Sequence, residues 1–175
     1  YAIEINASVA SITNERKIVF KGARHPLLDQ NKVVKNSFLL NKQKIMLITG
    51  PNAGGKTVAI KTIGLLILMS ECGLAIPVDE VGEHCFFKDI FVDIGDNQSL
   101  MDNLSTFSGH ISKIVKIVSE VSYDSLVVLD ELGTGTSPLD GEAIALGVIN
   151  RLHDVGCFSI ITSHYDGIKA FALEH

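Results

Sequence analysis

Two short stretches of the chain combine residue types that bind phosphate groups and activate water. The first covers residues 50–57 and reads GPNAGGKT, which fits the spacing G-x-x-x-x-G-K-[ST]. Its glycines let backbone N–H groups approach phosphate oxygens, because no Cβ stands in the way. Lys56 would bring a positive charge to the β- and γ-phosphates, and the Thr57 hydroxyl suits the coordination shell of Mg²⁺. The stretch predicts a site for a nucleoside triphosphate with its metal ion.

The second stretch places two neighbouring acids, Asp130 and Glu131, directly after the apolar run Leu126–Leu129. Asp130 could orient Mg²⁺ through its water, and Glu131 could position and activate the attacking water. Neighbouring side chains of a strand point to opposite faces, so both acids can serve one site only where the strand ends and twists. The pair favours hydrolysis over mere retention of a nucleotide. The alternative is that both acids begin an ordinary polar loop.

Strands and helices that alternate along the chain must position these two stretches. Strands are predicted at Lys17–Phe20, Val33–Val34, Ile45–Thr49, Phe86–Ile94, Leu126–Leu129 and Phe158–Thr162. Helices are predicted from Lys56 to about Cys72 with Gly73 as a left-handed cap, from about Ser108 onwards, and from Asp140 to Val155, closed by Gly156. This order predicts an α/β fold with a largely parallel central sheet, helices on both faces and a small antiparallel N-terminal β part.

Composition and charge limit the classes of protein to which the chain can belong. The chain has 175 residues, 46% of them hydrophobic, which predicts a globular domain with a sizeable core. No apolar run has the roughly 18–20 residues that a membrane span needs, so no membrane is expected as a partner. The net charge is −5 and the basic residues are scattered along the sequence. Both features argue against this chain as the main nucleic-acid-binding surface.

The cysteines and most histidines are expected to have no role in the chemistry. The three cysteines are odd in number and lack metal-type spacing, which favours a reduced, cytoplasmic setting. One interpretation is a metal site formed by Cys72 and the stretch Glu83–Cys85. The preferred interpretation is that the cysteines are small buried thiols and that the histidine lies in a loop. Four histidines are interpreted as structural or surface residues: His25, His84, His110 and His153.

With these residues in view, the chain resembles the MutS family of DNA-repair ATPases, in the ABC-type branch of P-loop proteins, almost from end to end. The resemblance rests on ARHPLL (23–28), ITGPNAGGKT (48–57), DIGDNQSLMDNLSTFSGHI (93–111), VVLDELGTGTSPLDGEAIA (127–145) and ITSHY (161–165). Lys56-Thr57-Val58 and LSTFSGH are most similar to the second bacterial MutS paralogue, which is associated with suppressing recombination and with branched nucleic acids or stalled ribosomes. The resemblance implies a P-loop NTPase fold of ABC/MutS type.

The resemblance also implies a role for each residue that matches a family motif. The implied nucleotide-binding residues are Gly50, Pro51, Asn52, Ala53, Gly54, Gly55, Lys56, Thr57 and Val58, with Asn52 against the β–γ bridge of ATP. The implied ligands of Mg²⁺ are Thr57 and Asp130. The implied catalytic residues are Glu131, Lys56 and His164, the histidine acting as a switch that contacts the γ-phosphate or the water. Asp96 and Gln98 fall in the linker that senses the metal and the γ-phosphate.

Two further residues would act across a dimer interface. In similar ATPases the serine of the signature segment, here Ser105, reaches the γ-phosphate of the opposite subunit, and Asp140 lies at that interface. From the sequence alone each is also a good helix N-cap, and both readings can hold together. Relatives place an aromatic ring against the adenine where this chain has Lys32-Val33-Val34. Val33 or Val34 would therefore give only apolar contact.

The leading functional hypothesis is an ATP-binding and ATP-hydrolysing domain. It would form a homodimer around ATP and drive other domains that bind double-stranded or branched DNA, or ribosomes, in DNA repair or recombination control. Residues 1–172 are expected to form this single domain, excised from a longer protein, with 173–175 as a tag remnant. The second hypothesis is a nucleotide-dependent dimerisation module with little hydrolysis. An ABC transporter subunit is disfavoured because STFSGH replaces an LSGGQ-like run, and direct DNA binding is disfavoured by the acidic charge.

Overall fold

A computed structural model of the chain describes residues 1–51, 54–95 and 103–174, of which residues 103–107 and 174 are described by their backbone alone. The described elements, in chain order, are β1 (Ser11–Thr13), β2 (Ile18–Ala23), β3 (Asn36–Leu40), β4 (Ile45–Thr49), α1 (Lys56–Glu71), β5 (Glu83–Cys85), β6 (Asp89–Asp93), α2 (Asn103–Glu120), β7 (Ser125–Leu129), α3 (Pro138–Val155), β8 (Phe158–Ser163) and α4 (Asp166–Glu174). They divide into two compact units. The first unit comprises 1–43 and 58–86, and the second comprises 44–57 and 87–175.

A four-stranded parallel sheet forms the centre of the second unit, with the strand order β4-β8-β7-β6. Parallel strands need crossover connections, and α2 and α3 follow β6 and β7 as such connections require. Helices α2, α3 and α4 bury Ile114, Ile149 and Ile168 against Val127 and Ile161 of the sheet. These features confirm the predicted α/β class with a parallel sheet.

Both faces of this sheet are apolar, as expected of parallel strands. Every residue of β7 and of β8 is buried, including Leu126, Val128 and Ile160, which alternate with the residues facing the three helices. The described packing confirms helices on one face of the sheet. Helices on the other face stay a prediction.

The first unit contains a smaller sheet with the strand order β1-β5-β2-β3. Strand β2 pairs antiparallel with β3 and β5, whereas β1 pairs parallel with β5. The predicted antiparallel N-terminal β part is therefore only partly right, because the sheet is mixed and β5 comes from beyond α1. The strand predicted at Val33–Val34 is wrong: the Val33 N–H is bound to the Asp29 carbonyl at 2.9 Å, and β3 begins only at Asn36.

His84 is fully buried in β5 of the first unit. Its interpretation as a structural residue is confirmed, whereas its interpretation as a loop histidine is wrong. Its Nδ1 lies 2.8 Å from the Cys85 carbonyl oxygen and its Nε2 lies 2.8 Å from the Ser70 hydroxyl. Burial lowers the pKa of His84, with the Cys85 carbonyl as an opposing influence. The expectation of small buried thiols is confirmed for Cys85 and Cys157 and is wrong for Cys72, which is exposed.

The helix ends follow the sequence signals, with two corrections. Gly73 and Gly156 adopt left-handed backbone angles, with φ of 77° and 72°, and end α1 and α3 as predicted. Asp140 is not the N-cap of α3, because Ser137 has that position and its Oγ accepts a bond from the Asp140 N–H. Helix α2 begins at Asn103 rather than near 108, so Ser105 lies within its first turn and is not its N-cap either.

No helix in the described ranges is long and apolar enough to cross a membrane.

Candidate functional site

The carboxyl ends of the parallel strands bring the start of the glycine-rich loop, the acid pair Asp130–Glu131 and His164 to one edge of the sheet. Thr49 at the end of β4 lies opposite Ser163 on β8, and Leu129 at the end of β7 lies opposite Ile161. Strands in a sheet are about 4.8 Å apart, so β4 and β7, on either side of β8, are about 10 Å apart. The segments that follow these strands emerge side by side. In open α/β sheets this edge is where ligands bind.

The glycine-rich loop, residues 50–57, leads from β4 into α1 in the predicted strand-to-helix frame. Gly50 and Gly55 have φ of 145° and 75°, which residues with a side chain rarely adopt. Apart from each glycine's own neighbours in the chain, no described residue has an atom within 4 Å of where its Cβ would stand. The loop can therefore approach a ligand closely with its backbone. Asn52 and Ala53 lie outside the described residues.

Lys56 points its ammonium group into this loop. Its side chain is almost fully buried, and Nζ donates to the carbonyl oxygens of Gly50 at 2.6 Å and Pro51 at 2.9 Å. Thr57 follows in the first turn of α1, half-buried, and Val58 is exposed. A buried cation at a helix N-terminus is a favourable environment for an anion.

The acid pair sits where β7 ends. Glu131 has a φ of 48°, a left-handed conformation that is uncommon for a residue with a side chain. This conformation ends the strand's alternation, so Asp130 and Glu131 are not constrained to opposite faces of the sheet. The Asp130 N–H donates to the Asp93 carbonyl at 2.9 Å, and the Glu131 N–H donates to the Thr162 hydroxyl at 2.7 Å.

Residues at and just after the end of β8 form hydrogen bonds with the segment that follows these two acids. The Leu132 N–H donates to the Thr162 carbonyl at 3.1 Å, and the buried Tyr165 hydroxyl donates to the Gly133 carbonyl at 2.8 Å. Gly133 has a φ of 90°, and a Cβ there would collide with the carbonyl oxygen of Gly141. Glycine is required at this point by conformation and by space.

We expect Gly133→Ala to lower the free energy of unfolding by about 2–3 kcal/mol or more, since strained backbone and overpacking each cost on this scale. Gly147→Ala is the matched control: Gly147 is exposed in α3 with open space around its Cβ position, and alanine favours a helix by about 1 kcal/mol. Denaturant unfolding of both variants measures the difference. Equal stability of the two variants would contradict the close packing at Gly133.

The remaining predicted residues differ in what surrounds them. His164 is exposed just past β8, with its ring centroid 4.4 Å from that of Tyr165. Asp140 is exposed on α3, where its carboxylate accepts a bond from the Ser137 hydroxyl at 2.6 Å. Ser105 is described by its backbone alone, and Asp96 and Gln98 lie outside the described residues.

Three residues that the sequence did not single out for the site belong to the same edge: Asp93, His110 and Thr162. Asp93 ends β6 almost fully buried, and its carboxylate contacts His110 Nδ1 at 2.8 Å and Lys113 Nζ at 3.4 Å. A cavity of about 10 Å³, lined in part by Asp93, His110, Asp130 and Glu131, has room for about one water molecule. The interpretation of His110 as a structural or surface residue does not include this contact with Asp93, which lies 17 residues away in the sequence.

The chemical capacity of this edge follows from the groups present. Backbone amides and an ammonium group can bind an anion, a hydroxyl and a carboxylate can hold a hard cation, and a second carboxylate can accept a proton. Across the part of the chain that the structure describes, no group of three or more His, Cys, Asp or Glu side chains is arranged to hold a metal ion.

Comparison with known proteins identifies the family. Residues 46–175 match the family model described as MutS domain V. Proteins named Endonuclease MutS2 are 47% identical over 175 residues in Caldanaerobacter subterraneus subsp. tengcongensis, 48% over 174 residues in Finegoldia magna and 45% over 172 residues in Bacillus cytotoxicus. These matches cover 98–99% of the chain but 22% of each relative, so the chain spans about a fifth of their length. The chain therefore belongs to the MutS family, and its relatives place it with the MutS2 paralogues of that family.

Proposed function

We propose that the chain is the ATP-binding and ATP-hydrolysing domain of a MutS-like protein, with a P-loop fold of ABC type. The observation that carries this proposal is the sheet edge itself. A loop with two left-handed glycines and a buried lysine emerges from β4. The acids Asp130 and Glu131 follow β7, which is separated from β4 by the single strand β8. The match to MutS domain V supports the same reading.

The glycine-rich loop would hold the phosphates of ATP. Its amides and the positive end of α1 attract the phosphate oxygens, and the Lys56 ammonium neutralises charge on the β- and γ-phosphates. The conformation supports this fit, because Gly50 and Gly55 expose backbone without a side chain to obstruct the ligand. Asn52 would lie against the β–γ bridge, while Pro51, Ala53, Gly54, Thr57 and Val58 complete the binding segment.

Thr57 and Asp130 would hold Mg²⁺. The bound ion would neutralise phosphate charge and orient the terminal phosphate. The donor set fits a hard cation, since a hydroxyl and a carboxylate are both oxygen ligands. Asp130 is itself held from two sides, by its N–H bond to Asp93 and by the Thr162 hydroxyl that donates to its carboxylate.

Glu131 would act as the general base of hydrolysis. The oxygen of a water forms a bond to the γ-phosphorus, the bond from that phosphorus to the bridging oxygen of ADP breaks, and Glu131 takes the proton of the water. Lys56 stabilises the negative charge that spreads over the phosphoryl oxygens. His164, exposed at the end of the intervening strand β8, would contact the γ-phosphate or the water.

A homodimer around ATP completes the proposal. Ser105 would reach the γ-phosphate of the opposite subunit, Asp140 would lie at the interface, and Asp96 and Gln98 would sense the metal and the γ-phosphate. The cycle of closure and opening would drive other domains of a longer, cytoplasmic protein that bind double-stranded or branched DNA, or ribosomes. The exposed position of Asp140 on α3 is compatible with such an interface.

The experiment for this proposal measures ATP turnover against protein concentration. We expect weak Mg²⁺-dependent phosphate release whose rate per chain rises with concentration, because one copy would hold only part of each composite site. Analytical ultracentrifugation with ATP supplies the dimer fraction for comparison. A rate per chain that stays constant while the dimer fraction rises would contradict the shared site, and a chain that binds no Mg²⁺–ATP would overturn the proposal.

A further inference from the structure

Thr162 connects the two acids through a single oxygen atom. It lies on β8 and is fully buried. Its hydroxyl donates to Asp130 Oδ1 and accepts the Glu131 N–H at 2.7 Å. The two bonds join residues that are 32 and 31 positions away in the sequence.

The direction of the two bonds follows from the chemistry of the hydroxyl. A threonine hydroxyl has one proton to donate and lone pairs to accept. The proton is directed to the Asp130 carboxylate, which only accepts when ionised, and a lone pair remains for the Glu131 amide. The same oxygen therefore orients the Asp130 carboxylate and fixes the amide of the left-handed Glu131.

We infer that Thr162 is a positioning residue for hydrolysis, which holds the metal-binding acid and the general base in one arrangement. This inference rests on the proposed function and adds to it a residue that touches neither ATP nor the metal ion. Residues that hydrogen-bond to a metal ligand and orient it, without contacting the metal, typically raise activity or metal affinity by about 10- to 100-fold. Because Thr162 acts on both acids at once, its loss affects Mg²⁺-dependent steps and leaves the glycine-rich loop in place.

The strand can tolerate loss of the hydroxyl. The Thr162 carbonyl accepts the Leu132 N–H, a main-chain bond that does not depend on the side chain. Valine has nearly the shape of threonine and is equally suited to a strand. Asp130 and Glu131 are both half-buried rather than fully buried. Thr162→Val therefore removes two hydrogen bonds with little change in packing.

The test compares Thr162→Val, Thr162→Ser and Ser159→Ala in the same chain. Thr162→Ser keeps the hydroxyl, and Ser159→Ala removes another fully buried hydroxyl from β8, about 10 Å further from the edge at the rise of a strand. We expect Thr162→Val to lower kcat by about 10- to 100-fold with little change in KM for ATP. Thr162→Ser should restore kcat, and Ser159→Ala should match the wild type.

Two readouts are independent of turnover. In Thr162→Val the Glu131 amide should exchange its hydrogen faster, as measured by NMR, because its acceptor is gone. ADP affinity measured without Mg²⁺ should stay at the wild-type value, since the glycine-rich loop is unchanged. Where Thr162→Val does not fold, Thr162→Ala provides the same comparison.

The outcomes separate this inference from the proposed function. Wild-type kcat in Thr162→Val or Thr162→Ala, or the same loss of kcat in Thr162→Ser as in Thr162→Val, would overturn the positioning role while ATP hydrolysis by the wild type stands. Unchanged exchange of the Glu131 amide in a hydroxyl-free variant would also overturn it. A wild-type chain that neither binds nor hydrolyses ATP would overturn both.

Discussion

Lys56→Ala is expected to abolish measurable ATP turnover and to weaken ATP binding by about 2–5 kcal/mol, the usual cost of removing one partner of a buried charge pair. The Lys56 side chain is almost fully buried, and its ammonium group already lies against the loop carbonyls of Gly50 and Pro51. A phosphate chain in this loop would lose its principal positive charge. Titration calorimetry with Mg²⁺–ATP gives the binding change, and a phosphate-release assay gives the turnover.

Lys61→Ala is the matched control for this variant. Lys61 is exposed on the same helix, so its replacement removes one positive charge from α1 without touching the loop. We expect binding and turnover at the wild-type level for Lys61→Ala. Unchanged turnover in Lys56→Ala would show that the glycine-rich loop is not the site of ATP hydrolysis.

Glu131→Gln is expected to lower phosphate release by about 10²- to 10⁴-fold, the range of a general base, while ATP binding is retained. Glutamine has the size of glutamate and leaves the backbone bond from residue 131 to Thr162 in place. The variant therefore removes the proton acceptor while it keeps the size of the side chain and this backbone bond. Single-turnover phosphate release measures the chemical step, and calorimetry measures the binding.

Glu120→Gln provides the control, because it makes the same change at an exposed residue at the end of α2. It should hydrolyse ATP at the wild-type rate. Equal phosphate release by Glu131→Gln and wild type, with binding intact, would instead favour the alternative function, a nucleotide-dependent dimerisation module with little hydrolysis.

The second unit was largely predictable from sequence because its signals are local. Strand β4 occupies Ile45–Thr49 as predicted, since a compact apolar run there is followed at once by glycine. Helix α3 ends before Gly156, because glycine adopts the left-handed backbone angles of the cap at little cost. Apolar runs and the glycines that end them therefore specify a strand or a helix without any contribution from residues distant in the sequence.

The first unit was less predictable because its strands depend on distant partners. Strands β1 and β5 have three residues each, and the pairing of Ser11 with Glu83 joins segments far apart in the chain. Three residues are too few for an alternating pattern to show. At Val33–Val34 the β-branched residues suggested a strand, but Asp29 binds the Val33 N–H and the Asn31 N–H within a turn.

In the candidate site, too, some residues are predictable from local sequence and others are not. The glycine-rich loop and the acid pair are contiguous motifs and could be read directly from the sequence. Thr162 could not, because its role arises from the position of β8 beside β7. His110 and Asp93 meet across 17 residues, through α2 lying over the end of β6, and a lone histidine gives no sign of such a partner.

The central claim is that the glycine-rich loop and the two acids serve one nucleotide. Its most direct test is a crystal structure of the chain with Mg²⁺ and a non-hydrolysable ATP analogue. We expect the triphosphate to lie on the amides of residues 50–57, the metal ion to contact Thr57 and Asp130, and Glu131 to face the γ-phosphate. A triphosphate bound away from that loop, or one bound there with Asp130 and Glu131 turned away from its terminal phosphate, would contradict the account.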